Sequence, residues 1–177
     1  ANGVTLAALL LLPRRVWPAV LASAYAGNVL ANLLTHREVS AAFVFSGVNA
    51  AESLAAGSAM WHYFRRRMRF ETTREVILFA VFACAGCGLF GGLLGALSVH
   101  VLNKVSEPFL GVWLFWGVVD ALGMLTVTPL IVATACHRPW FRSPFGLLEK
   151  FVCVSLFTVA VLVMFRAAPP QQVLLLN

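Results

Sequence analysis

Charge is scarce in this chain. Lysine and arginine together number 13 and aspartate and glutamate 7, so only 11% of the 177 residues are charged, against 60% hydrophobic and a mean hydropathy of +0.87. That balance excludes a soluble domain of this length. Sustained alternation of polar and apolar residues is also lacking, which excludes the strands of a membrane barrel. No basic stripe interleaved with aromatics is present. The net charge of +6 lies in short loops between apolar runs, where lipid headgroups and not nucleic acid are the expected neighbours. Cysteine is too sparse for a disulfide framework. Cys84 and Cys87 form a CxxC inside a glycine-rich apolar run with no second pair, and Cys136 and Cys153 stand apart, so the motif reads as two small buried side chains. The histidines, His36, His62, His100 and His137, lack local ligand spacing and lie near loops. No metal, haem or other cofactor is expected, although His100 remains a candidate proton-exchanging group. No paired nucleophile and base and no phosphate loop occurs, so this region is expected to hold no catalytic residue.

What the chain does have is a series of apolar runs close to the roughly 20 residues that a spanning helix needs. The expected architecture is all-α, a polytopic transmembrane helical bundle. Six spans, residues 2–12, 17–34, 41–64, 76–102, 109–135 and 147–165, precede the start of a seventh at Val173–Leu176, after Pro169 and Pro170. Residues 1–177 read as one integral-membrane domain, an excerpt clipped at both ends of an expected eight-span unit. The connecting loops alternate strictly in charge: one set carries ten arginines and lysines (Arg14, Arg15, Arg65, Arg66, Arg67, Arg69, Arg74, Arg138, Arg142, Lys150) and the other three (Arg37, Lys104, Arg166). The arginine-rich set is expected in the cytoplasm, and the other outside an inner (plasma) membrane.

Small residues recur at every fourth position in the second span (Ala19, Ser23, Gly27, Ala31) and the third (Gly47, Ala51, Ala55, Ala59), and as Gly88/Gly92 and Gly91/Gly95 in the fourth. Such ladders let backbones approach in lipid. The glycine pairs are taken to join helices within one chain, with pairing between chains as the alternative. Pro129 removes the donor for the Leu125 carbonyl, which predicts a kink that Thr126 or Thr128 partly satisfies.

Two acids sit near the middle of spans, Glu52 and Asp120. A charge there costs roughly 2.5–3.5 kcal/mol even on insertion scales, so each should face the protein interior. Helical spacing gathers further polar and aromatic residues into stripes: Tyr25, Asn28 and Asn32 on the second span, Ser46, Asn49, Glu52 and Ser53 on the third, and Trp113, Trp116 and Asp120 on the fifth. The expected site is a pocket open to the outer side, with Asn28, Asn32, Asn49, Trp113 and Trp116 in its upper half and the acids at its floor. No arginine or lysine is expected inside it, so a cationic or hydroxyl-rich ligand fits best, stacked on tryptophan. The alternatives stay open: Glu52 and Asp120 as protonated links between helices, the asparagines as interhelical glue, and Trp113 as part of an interfacial belt.

The run from Trp116 to Leu130, with Asp120, Gly123, Leu125 and Pro129 at fixed offsets, resembles the W-x3-[DE]-x2-G-x-L-x3-P-L signature of MASE1, a bacterial membrane-associated sensor domain. Asn2-Gly3, Trp17-Pro18, Gly27-Asn28 and Asn49-x2-Glu52 match it in the same order. The resemblance implies an input domain of about eight helices, fused to a histidine kinase or diguanylate cyclase. Its implied partners are the lipid bilayer, a second copy in a homodimer, a fused cytoplasmic output domain, and an unidentified small ligand or membrane partner. It marks Asn28, Glu52, Trp116, Asp120, Gly123 and Pro129 as signature positions. The competing reading is a small-solute or proton-coupled transporter, since midplane acids and glycine-rich helices also serve alternating access. No internal repeat between the halves supports it, and kinase or cyclase motifs beyond Asn177 would decide for sensing.

Overall fold

The computed structural model describes residues 2–64, 70, 72–102, 108–136 and 155, without the side chains of Cys84, Cys87 and Gly88. Among these residues, regular structure is entirely helical: α1 (Asn2–Leu11), α2 (Trp17–Leu34), α3 (Val39–Phe64), α4 (Thr73–Ala85), α5 (Gly92–Val101) and α6 (Phe109–Cys136). A 3-10 turn, Arg14–Val16, links α1 to α2, and a π turn, Gly86–Gly91, makes α4 and α5 one continuous helical path. The chain divides into the units Ala1–Ala133 and Thr134–Asn177. All contacts below belong to the first; of the second, only the last turn of α6 and Ser155 are described. Apart from Ser155, the expected span at 147–165 lies outside the described residues, as do the run at Val173–Leu176, His137 and Cys153.

Two helices, Val39–Phe64 and Phe109–Cys136, are long and apolar enough to cross a membrane, while Asn2–Leu11 and Leu89–Val101 are apolar but shorter. Asn28, Asn32 and Pro18 hold down the hydropathy of α2, and the Thr72–Glu75 start of α4 is polar. The structure thus bears out a helical bundle with two clear candidate spans.

Local chemistry sets the helix ends. Thr72 Oγ1 accepts from the Glu75 amide at 3.3 Å, the arrangement of a Thr-x-x-Glu capping box. It starts α4 at Thr73, three residues before the boundary that the charges alone predict. At the end of α2, the Arg37 amide donates to the Asn32 carbonyl at 3.0 Å and the His36 amide to the Leu33 carbonyl at 3.1 Å. This is a Schellman closure, with His36 at φ 60 where glycine usually sits. Trp17 is 4% exposed and donates its indole N–H to the Leu9 carbonyl at 3.0 Å. One of the orphan carbonyls at the end of α1 is thereby satisfied, and α1 is fastened to α2.

The helices surround α3. One apolar cluster joins Leu6, Ala7 and Leu10 of α1, Ala56 and Met60 of α3, Phe79 and Ala83 of α4, and Ala121, Met124 and Val132 of α6. A second joins Ala41 and Phe45 to Ala96, Val99 and Val112. The crossing of α1 on α3 is made at Gly57, where an added Cβ would stand 3.2 Å from a Leu9 methyl.

Several packing expectations need correction. The α2 ladder Ala19, Ser23, Gly27, Ala31 is exposed, because α2 turns Tyr25, Val29 and Asn32 toward α3 instead. Val29 is buried, Tyr25 lies against Gly47, and Asn32 Nδ2 reaches Ser46 Oγ at 3.5 Å. Neither threonine serves the Leu125 carbonyl. Thr126 Oγ1 bonds back to Leu122 at 2.7 Å, and Thr128 Oγ1 donates to the Gly3 carbonyl of α1 at 2.9 Å. The helix α6 runs through Pro129 to Cys136.

His36→Gly should stabilise the protein by about 1 kcal/mol or less, since a side chain at a left-handed position carries roughly 1–2 kcal/mol of strain and glycine gives part of that back as chain entropy. A rise in thermal midpoint in detergent checks this; a fall would show that the imidazole makes a contact worth more than the strain.

Candidate functional site

The two intramembrane acids, on α3 and α6, come together. Asp120 is hydrogen-bonded to the Glu52 carboxyl and accepts from the Trp116 indole. Glu52 is 1% exposed. Its Oε2 accepts from Asn2 Nδ2 at 2.8 Å, and the same amide reaches Asn49 Oδ1 at 3.2 Å. The other side of its carboxyl rests on the backbone of Gly91, where an added Cβ would collide with it. Buried Ser53 Oγ and Asp120 Oδ2 have no hydrogen-bond partner among the described residues, which leaves capacity for a further polar group.

Gly91 has φ −64 and ψ −48, a conformation open to every residue, so the closeness of the Glu52 carboxyl is what requires glycine. The same applies around the tryptophans. A Cβ on Gly92 would stand 2.8 Å from Trp113, and one on Gly95 would overlap the Trp116 ring. These glycines therefore join helices within one chain, as expected from the sequence. Phe45 meets Trp116 edge-on with centroids 5.2 Å apart, and Arg37 lies 5.4 Å over the far Phe45 ring. Partial burial lowers the Arg37 pKa from its ordinary value, in keeping with its place at the loop end of this column.

Of the eight candidate ligand residues, Asn49, Glu52, Trp116 and Asp120 form one cluster with Asn2. Trp113 lies beside it on Gly92. Tyr25 and Asn32 face α3 at another level, and Asn28 lines a groove between α1 and α2. Neither that groove nor a second cavity near Arg14 is lined by Glu52 or Asp120. On the acid side, the Trp116 indole lies on Asp120, and the Phe45 ring meets Trp116 in turn. His100 Nδ1 lies 2.9 Å from the Ala96 carbonyl, and its ring packs on Phe109.

Asn2 and Arg37 were missed as site residues. Asn2 gave a signal, a polar residue opening an apolar run beside a glycine. Arg37 gave none, because a loop arginine reaching back over a phenylalanine leaves no trace in helical spacing.

The family model described as MASE1 matches residues 1–176. No curated protein and no solved structure matches the chain.

Gly91→Ala should destabilise the fold by about 1–3 kcal/mol, the usual cost of overpacking, because Glu52 must leave its place. Gly27→Ala is the control: a Cβ there meets nothing within 4 Å, and helix propensity predicts a change within about 1 kcal/mol in the stabilising direction. Thermal unfolding of both in detergent tests the pair, and equal effects would refute the close approach.

Proposed function

The chain belongs to the MASE1 family of membrane-associated sensor domains, and from that premise we propose that it is the sensory input region of a bacterial signalling protein, with the Glu52–Asp120 cluster as the part that responds to the stimulus. What supports this reading is the meeting of two carboxyl groups from separate apolar helices within hydrogen-bonding reach of each other. A structural link alone would not need so many polar groups. Asn2, Asn49 and Trp116 add donors and acceptors, and two buried oxygens keep unfilled capacity.

In this reading a cationic or hydroxyl-rich ligand, or a membrane partner, takes over hydrogen bonds that now run between α1, α3 and α6. Because the Trp116 indole occupies Asp120, a ligand that takes its place there moves that ring. Binding energy is thereby tied to a second packing of the helices, which is the differential affinity that signalling needs. The six-span arrangement with arginine-rich loops in the cytoplasm would carry that shift to a fused kinase or cyclase in a homodimer.

The test uses the full-length protein in native membranes, with output activity measured as candidate solutes are varied. Glu52→Gln and Asp120→Asn should each cut the response by about fivefold or more, the lower range of allosteric coupling, while Gly111→Ala, where an added Cβ meets nothing within 4 Å, leaves it intact. A response untouched by both substitutions would remove the cluster from sensing. Solute uptake that follows these substitutions, with no output affected, would favour transport.

A further inference from the structure

Two cavities flank the Arg14–Val16 turn. The first is an open groove of about 790 Å3 between α1 and α2, lined by Ala8, Leu12, Val16, Ala19, Ser23 and Gly27 among others. Its one hydroxyl on α2 is turned away, since Ser23 Oγ donates to the Ala19 carbonyl at 2.8 Å. The second, of about 580 Å3, is lined by Arg14, Ser58, Trp61, His62, Tyr63 and Phe82. Arg14 stands where the two adjoin along the chain. Its guanidinium lies 5.2 Å from the Trp17 ring centroid and 4.3 Å from that of Trp61. Arg74 Nη2 donates to Tyr63 Oη at 3.3 Å and brings a second cation to this end. Among the described residues the acid here is Glu75, which is buried and lines neither cavity.

We propose that this end of the bundle binds one anionic phospholipid, with its phosphate at Arg14 beside the Trp61–Tyr63 cavity and an acyl chain in the α1–α2 groove. Each part of the lipid meets its chemical match. The groove is apolar, open along its side and widened by small residues, as an alkyl chain requires. The planar guanidinium lies against two indoles, which restrains it for paired hydrogen bonds to phosphate oxygens. Tryptophan and tyrosine favour the headgroup level of a bilayer, and basic pockets between helices at that level select anionic headgroups. The charge surplus commits the site to an anionic lipid, and the adjoining groove commits it to a lipid in place of a free anion. The inference needs only a bilayer around the chain and stands apart from the sensing role of Glu52 and Asp120.

The experiment reconstitutes the full-length protein in phosphatidylcholine vesicles and compares tryptophan quenching by brominated phosphatidylglycerol and by brominated phosphatidylcholine at equal mole fraction. The anionic lipid should be preferred about fivefold, as expected for one arginine near an anionic headgroup. Arg14→Gln should remove the preference, and Arg14→Lys, which keeps the charge and guards against a folding defect, should retain part of it. Ala24→Phe, which fills the groove and leaves Arg14 in place, should weaken it as well. Equal quenching by both lipids, or a preference unchanged by Arg14→Gln or by Ala24→Phe, would overturn the proposal. So would its loss to soluble glycerol phosphate, which would assign the site to a free anion.

Discussion

A carboxyl group placed halfway along an apolar helix must find polar company inside the protein, and Glu52 finds it on two other helices at once. Asn2 donates to it from α1 and Asp120 shares a hydrogen bond with it from α6. Single interhelical hydrogen bonds in membranes average only about 0.6 kcal/mol, so these bonds add little to stability by themselves. Their weight lies in the alternative: a carboxyl with no partner in hydrocarbon costs several times more. The arrangement of α1, α3 and α6 is thus specified less by what the cluster gains than by what every other arrangement would lose.

The surrounding backbone follows from that constraint. For the Glu52 carboxyl to lie between helices, the chain opposite must present no side chain, and Gly91 closes the π turn at that point. The irregular turn leaves backbone groups outside the ordinary helical ladder beside a buried polar cluster, a place where π turns often mark function. Directly after it Gly92, and one turn onward Gly95, receive Trp113 and Trp116. A tryptophan seated on glycine gains contact on its whole face, and Trp116 is held with its indole N–H on Asp120. Acid, glycine and indole are therefore one interlocked unit, in which displacing any member disturbs the other two.

Much of this was legible in the residues, and the illegible part has physical reasons. The helical class, the span of α2 and the pairing of the two acids follow from apolar run length and from the cost of lone charges. The helices start earlier, at Val39 and Thr73, than their charges suggest, because a capped charge belongs to its helix, as Glu75 does through Thr72. The α2 ladder misled, since small residues permit close packing without compelling it, and Tyr25, Val29 and Asn32 offered α3 a larger and partly polar face. The hydroxyl of Thr128 was assigned to its own helix when the carbonyl of Gly3 lay nearer, a contact that no local pattern encodes. The cation of Arg37 was likewise hidden, because a long side chain reports its Cα and not the place of its charge.

The short helix α1 explains why the acid cluster and the arginine-bearing turn belong to one mechanical unit. At one end Asn2 is held by Glu52 and Asn49, and Gly3 by Thr128. At the other, the Leu9 carbonyl is held by Trp17, whose ring also faces Arg14. Between these anchors Leu6, Ala7 and Leu10 lie in the main apolar cluster, so the helix cannot slide at one end without straining contacts at the other. Close-packed interiors resist gradual deformation and change between discrete arrangements. The acid cluster and the Arg14 turn therefore share one short helix that is anchored at both ends.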